Sequence, residues 1–229
     1  MNLDKKIVLL STKSLHHDIF IKNLILKNIF FDNIFYETSY VKPKFKTHSW
    51  IEEKQKNYEF SKLKELKHIE LNDCKNFSNF NSDTFLNILK TDKADLGIVF
   101  GTRVLNQDVI NSFKDGLINV HRGIIDKYRG LDSDLWAYYH KDFKNIGTTI
   151  HYINTGIDKG DIIEIKHLNK NKINIETLRY ETSMIAARII STIIIKYKKK
   201  LKITSFKQKK LGKYYSFMPK VIKDTLKNV

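Results

Sequence analysis

A single cysteine, Cys74, is all the sequence carries. It can form no internal disulfide and no multi-cysteine zinc site. The expected setting is therefore reducing and cytoplasmic, with Cys74 a small hydrophobe or surface thiol. Long apolar runs are also missing. The first, Ile7 to Leu10, is too short for a signal peptide, and no small-residue cleavage site follows it. The longest other, Met184 to Ile195, is interrupted by Arg188 and Ser191. A membrane span needs about 20 apolar residues, so this run reads as a buried helix and no membrane partner is expected. No linker, internal repeat or low-complexity stretch divides the chain.

Acidic residues are scarce. Asp and Glu number 25 against 41 Lys and Arg, giving a net charge of +16. Such a charge attracts nucleic acid, phosphate surfaces or an anionic small substrate. The lysines are spread along the whole chain and are not interleaved with aromatics in a compact motif. Nucleic acid is therefore not the expected partner, and an anionic small molecule is. A basic nucleic-acid-binding module, drawing on Lys207 to Lys213, stands as the rival reading from another class. Hydrophobic residues make up 41%, enough to bury a core. The 229 residues suit one α/β domain with a basic extension from about residue 200.

Apolar patterning gives a coarse element order. Strands are expected at Lys6–Leu10, Ile34–Tyr36, Ala94–Phe100, Gly116–Val120, Gly147–Ile153 and Ile162–Ile165. A helix is expected over Leu15–Phe30, with Leu15, Ile19, Leu26 and Phe30 on its inner face. Further helices fall at Ser49–Leu66, Thr84–Leu89, Asp134–His140 and Glu176–Tyr197, and Lys75–Asp83 reads as a loop. Lys198 to Lys200 suit a solvated C-terminal helical turn. Strands alternating with helices predict a Rossmann-like, mostly parallel twisted sheet with helices on both faces. In such sheets the ligand lies beyond the carboxyl ends of the strands. The segments after Phe100 and after Val120 leave the sheet there.

Three stretches carry the chemistry: Asp95 to Leu105, Gly116 to Gly130 (GLINVHRGIIDKYRG) and Gly147 to Ile163 (GTTIHYINTGIDKGDII). In a strand, Asn119 and His121 point to the same face, because side chains alternate with period two. An amide donor and an imidazole aimed at one point can stabilise an oxyanion. Asp158, in a glycine-flanked turn, can orient the histidine, position a water or accept a proton. His151 reads as a packed histidine. Arg129 reads equally as an anion clamp and as a loop brace, Arg103 as a loop cation or a ligand contact, and Trp136 and Tyr138 as core.

In order and spacing, these stretches resemble the folate-dependent formyltransferase family, most of all its sugar N-formyltransferases. Glycinamide ribonucleotide formyltransferase and the catalytic domain of methionyl-tRNA formyltransferase are relatives within it. The resemblance rests on Asn-x-His, the Arg-Gly loop, Gly-x-Thr-x-His, and an Asp followed by Gly. It implies the formyltransferase fold and a catalytic trio of Asn119, His121 and Asp158. It also implies 10-formyltetrahydrofolate as formyl donor, held by Phe100, Gly101, Thr102, Arg103, Val104 and Leu105 and by Asn154 and Thr155. The expected acceptor is an anionic small molecule, the amine of a nucleotide-linked amino sugar of the kind used in surface polysaccharides. Ser11, Lys13, His16, Arg122 and Arg129 are the candidates to bind it.

Two departures bear on that expectation. Arg122-Gly123 stands where the family has a proline after its histidine. The first loop, Ser11 to Ser14, lacks the glycine-rich phosphate cradle of the glycinamide ribonucleotide enzymes, with Ser14 also suited to cap the next helix. The segment Gly212 to Pro219 is similar to the sugar-modifying members, and the short C-terminus leaves little room for a tRNA-binding domain. Glycinamide ribonucleotide formyltransferase and formyltetrahydrofolate hydrolase are the alternative activities. The oligomeric state is open, a homodimer included.

Overall fold

A computed structural model describes residues 5–39, 42–71 and 74–228. Met1 to Asp4, part of the stretch searched for a leader, lie outside the described residues. Seven strands form the main sheet: β1 (Ile7–Thr12), β2 (Asn33–Glu37), β3 (Cys74–Phe77), β4 (Leu96–Phe100), β5 (Leu117–His121), β7 (Gly147–Tyr152) and β8 (Ile162–His167), in the order β3-β2-β1-β4-β5-β7-β8. The pairs from β3 through β5 are parallel; β5–β7 and β7–β8 are antiparallel. The short strands β6 (Tyr128–Gly130) and β9 (Lys213–Tyr215) pair with each other in a separate ribbon.

The sheet is mostly parallel because its central strands are apolar on both faces. In β1, Ile7 and Leu9 enter one core while Val8 and Leu10 enter the other. The first core takes α1 (Leu15–Ile25), α2 (Trp50–Glu65), α5 (Ser133–Tyr139) and α6 (Leu178–Lys198). The second takes α3 (Asp83–Asp92) and α4 (Gln107–Asn111). The Met184–Ile195 run lies inside α6, which buries twelve residues from Leu178 to Tyr197. Its buried Thr182 and Ser183 hydroxyls return to the Leu178 and Arg179 carbonyls, so no donor is stranded. No helix among the described residues is long and apolar enough to cross a membrane.

The structure departs from the patterning in two places. The first helix ends at Ile25, and Leu26 and Phe30 are 52% and 55% exposed. Its inner face is His17, Ile19, Phe20, Ile21 and Leu24. The chain turns at Asn28, in the left-handed region at φ 57°, so the apolar residues beyond it no longer keep helical phase. The expected loop Lys75–Asp83 holds for residues 78–82, but Lys75 to Phe77 belong to the edge strand β3; only Cys74 and Phe77 face inward, and a polar edge strand gives little alternation to read. The C-terminal segment folds back: β9 joins β6, and α7 (Lys220–Thr225) lies on α2 through Lys223, which pairs with Glu52 and Asp132.

Candidate active site

Because β5 pairs with β7 in antiparallel register, Asn119 stands opposite His151 and His121 opposite Thr149. Directly opposed side chains share a face, so Asn119, His121 and His151 gather on one side of the sheet. The β7–β8 turn then delivers Asp158 to the same point. Asp158 Oδ1 lies 3.4 Å from His151 Nε2 and 3.4 Å from Asn119 Nδ2, and Oδ2 lies 3.5 Å from His121 Nδ1. The Gly130 amide donates to Oδ2 at 2.7 Å. Asn119 Nδ2 lies 3.0 Å from His151 Nε2.

The proton inventory of this cluster is constrained. His151 Nδ1 lies 2.8 Å from the Tyr152 carbonyl, which can only accept. That nitrogen therefore carries a proton, and Nε2 stands between the Asn119 amide and the Asp158 carboxylate. His121 differs: Nε2 faces the Tyr128 carbonyl at 2.8 Å and Nδ1 faces the Asp158 carboxylate. Both neighbours are acceptors, and Nε2 is the nitrogen within close hydrogen-bond reach of its partner. Burial is the largest influence on Asp158 and pushes its carboxyl up. The charge of His121, the hydrogen bond and charge of His151 and the Gly130 amide together outweigh it and hold the carboxyl well below the usual carboxylate range. Asp158 is thus a weak base.

Gly130 is fixed by backbone. It sits at φ 90°, and a Cβ there would lie 2.1 Å from the Tyr215 carbonyl oxygen, so β9 closes on β6 only over a glycine. Its neighbour Arg129 braces the loop: Nε donates to the Gly212 carbonyl at 2.7 Å and Nη1 to the Ile157 carbonyl at 3.1 Å. Arg122 is committed to buried Asp134 at 2.6 Å.

The other sequence-predicted residues divide. The Phe100 ring is core, packed on His17 and Phe20 at 4.2 and 5.0 Å between centroids, and Leu105 is buried with it on the other face. Ser11 is buried and donates to the Phe100 carbonyl at 2.8 Å. Gly101, at φ 75°, has the His17 ring where a side chain would go; a Cβ would lie 2.4 Å from it. A substitution at Gly101 therefore disturbs His17 as well as any ligand. Thr102 bonds the Arg103 carbonyl, and Arg103 itself is held by Glu37 on β2 at 2.6 Å. Val104, Lys13, Asn154 and Thr155 are exposed, with Asn154 also accepting from the Gly156 amide. His16 lies edge-on to Phe100, and burial, then His17, Arg179 and Arg122, lowers its pKa well below the ordinary range. It can offer an acceptor a hydrogen bond but no charge. Trp136 stacks on Tyr215 at 4.9 Å and donates to the Ser216 carbonyl, as a packed residue would.

Two residues were missed. His151, read from sequence as packing, touches both Asn119 and Asp158; its antiparallel partnership with β5 was the unread signal. Gln208 donates to the Asp158 and Gly160 carbonyls at 3.0 and 2.8 Å, from a segment without regular pattern. A concavity of about 840 Å³ includes Tyr128, Tyr138 and Phe143 but none of Asn119, His121 or Asp158.

Comparison with known proteins bears on this geometry. The formyl transferase family model matches residues 22–189. The methionyl-tRNA formyltransferase of Thermodesulfovibrio yellowstonii is 32% identical over 119 residues, covering 51% of this chain. The chain spans only 38% of the length of that curated relative. Among solved structures, a sugar N-formyltransferase from a Shewanella species superposes with a TM-score of 0.64 at 17% identity, over 92% of this chain and 76% of that one. The formyltransferase PseJ from Anoxybacillus kamchatkensis, solved with UDP-4,6-dideoxy-4-formamido-L-AltNAc and tetrahydrofolate, gives a TM-score of 0.55 at 18% identity, over 97% of this chain and 89% of that one. At these identities the structural likeness establishes the fold.

Proposed function

The chain belongs to the formyl transferase family, and from that premise we propose that it moves a formyl group from 10-formyltetrahydrofolate to the amine of a nucleotide-linked amino sugar. The observation that carries the reading is the convergence of Asn119, His121 and Asp158, drawn from two separate stretches of sequence, on one buried point.

Attack of an amine on the formyl carbon develops negative charge on the formyl oxygen. Asn119 is half-exposed; its amide nitrogen contacts His151 at 3.0 Å and Asp158 at 3.4 Å, and the longer of these bonds gives way to that oxygen when the donor binds. His121 stands beside the same charge and serves as the general acid that gives a proton to the departing folate nitrogen. Asp158 anchors that histidine. The proton that the attacking amine loses passes to water, because the Asp158 carboxyl is held below the usual carboxylate range and is a poor base near neutrality. The donor's neighbours are the backbone from Gly101 to Val104 and the exposed Asn154–Thr155 turn. The acceptor's phosphate falls to exposed Lys13, a side-chain cation in place of a glycine cradle.

The sequence relatives favour a second acceptor, methionyl-tRNA, since several curated relatives are methionyl-tRNA formyltransferases. One assay separates them. The protein is incubated with 10-formyltetrahydrofolate and, in turn, UDP- and dTDP-linked amino sugars, glycinamide ribonucleotide and initiator methionyl-tRNA, with mass spectrometry for the added formyl group. Formylation of an amino sugar is expected. Formylation of either other acceptor and no sugar overturns the reading.

A further inference from the structure

The segment after α6 returns to the site and clamps the turn that carries Asp158. Phe206 exchanges two backbone hydrogen bonds with Ile162, at 2.8 and 2.9 Å. Six residues on, Gly212 accepts from Arg129, and β9 begins. Between these anchors, one amide nitrogen of Gln208 donates to two carbonyls of the turn, those of Asp158 and Gly160. Its oxygen has no hydrogen-bond partner among the described residues.

The turn needs such a clamp. Asp158 sits in the left-handed region at φ 51°, a conformation that costs a non-glycine residue about 1 kcal/mol or more. That conformation aims the carboxylate back at Gly130, His121, His151 and Asn119. The turn's own bonds are thin: Lys159 to the Gly156 carbonyl at 3.4 Å and Gly156 to Asn154 Oδ1 at 3.0 Å. Asn154, Thr155, Ile157 and Lys159 are exposed. The side-chain grips on its backbone from outside are Gln208 on the Asp158 and Gly160 carbonyls and Arg129 on the Ile157 carbonyl.

We propose that Gln208 is a positioning residue for formyl transfer, holding Asp158 in register with His121 through the turn's backbone. The inference rests on the reading that Asp158 acts in the reaction. Catalytic geometry is sensitive here, since a misplacement on the order of 1 Å can cost about 100-fold.

The test measures kcat and KM of the full chain with 10-formyltetrahydrofolate and the nucleotide-linked amino sugar that the wild type formylates. Three variants are compared: Gln208→Met, Gln208→Glu and Gln208→Lys. Methionine keeps the length and removes both donors; glutamate turns an acceptor toward two carbonyls; lysine restores N–H donors. Expected is a loss of kcat on the order of tenfold for Met and a larger one for Glu. Lys recovers most of the turnover, and both KM values stay within about twofold throughout. A merely structural role would not split kcat from KM or be rescued by a charged donor. A Gln208→Met protein with wild-type kcat overturns the inference. So does a Gln208→Lys protein that folds like the wild type yet is as slow as Met. Asp158→Asn runs alongside: if it turns over normally, the underlying reading falls; if it is inactive while Gln208→Met is normal, only this inference falls.

Discussion

Of the residues named from sequence, Asn119 and His121 share a face as the period-two rule implied, and Asp158, expected beside them from the family resemblance, meets them there. Others could not be placed that way. Whether Arg129 clamps an anion or braces a loop depends on Gly212, 83 positions away. Whether His151 packs or acts depends on strand direction. Direction is set by pairing, which a single strand's pattern does not encode. His17 shows the same limit. Beside His16 in the chain it reads as a surface residue or an acceptor contact, yet it is 4% exposed between Phe100, Gly101 and Ser11. Burial drives its imidazole down to about 3; a bond to the Thr12 carbonyl opposes this, and Arg122 and Arg179 add to the fall. The unfolded chain titrates this histidine near 6.5, so it takes up a proton there before the folded protein does. Its contribution is therefore whole above about 6.5 and lost as pH falls toward 3. Urea unfolding should lose about 2 kcal/mol from this group between pH 6.5 and pH 5, and His17→Phe should flatten that dependence. An unchanged slope in a folded His17→Phe protein would show that the buried ring is not its source.

At the scale of elements, the central strands were readable because they are apolar on both faces, and α6 because it is long and unbroken. Edges and ends were not. β3 alternates too weakly to announce itself, β6 and β9 are three residues each, and α1 stops where Asn28 turns the chain. The start of α2 is fixed by Ser49 and Glu52. Ser49 accepts from the Ile51 amide at 3.2 Å, and Glu52 reaches back to the Ser49 amide at 2.7 Å, a capping box. The helix that follows has little apolar surface of its own, so its caps and its contacts with α6 and α7 matter to it. Chief among these is the ion pair of Glu59 with Arg179, at 2.6 and 2.8 Å. Ser49→Ala should cost about 1 kcal/mol of unfolding free energy and leave formyl transfer intact. A change within error of zero, measured by chemical denaturation, would mean that the cap is dispensable once α2 is docked.

For the whole molecule, the strand order places its reversal between β1 and β4, with β2 beyond one and β5 beyond the other. Ligands of open α/β sheets lie at such a point, here between the loops after Thr12 and after Phe100. The antiparallel pair β7–β8 adds the Asp158 turn to one side of it, and the C-terminal segment secures that turn through Gln208 and Arg129. The excess of positive charge suits an acceptor bearing phosphate, drawn in over a distance and oriented by contacts remote from its amine. The central claim is that one cluster, Asn119 and His121 with Asp158 against the histidine, carries the transfer. It is tested most directly by kcat for formyl transfer from 10-formyltetrahydrofolate in His121→Ala and Asp158→Asn, each checked for wild-type folding by circular dichroism. The account predicts a loss of at least about 100-fold in each, the scale of removing an oxyanion donor or a general acid. A folded variant of either kind with near-wild-type kcat would contradict it.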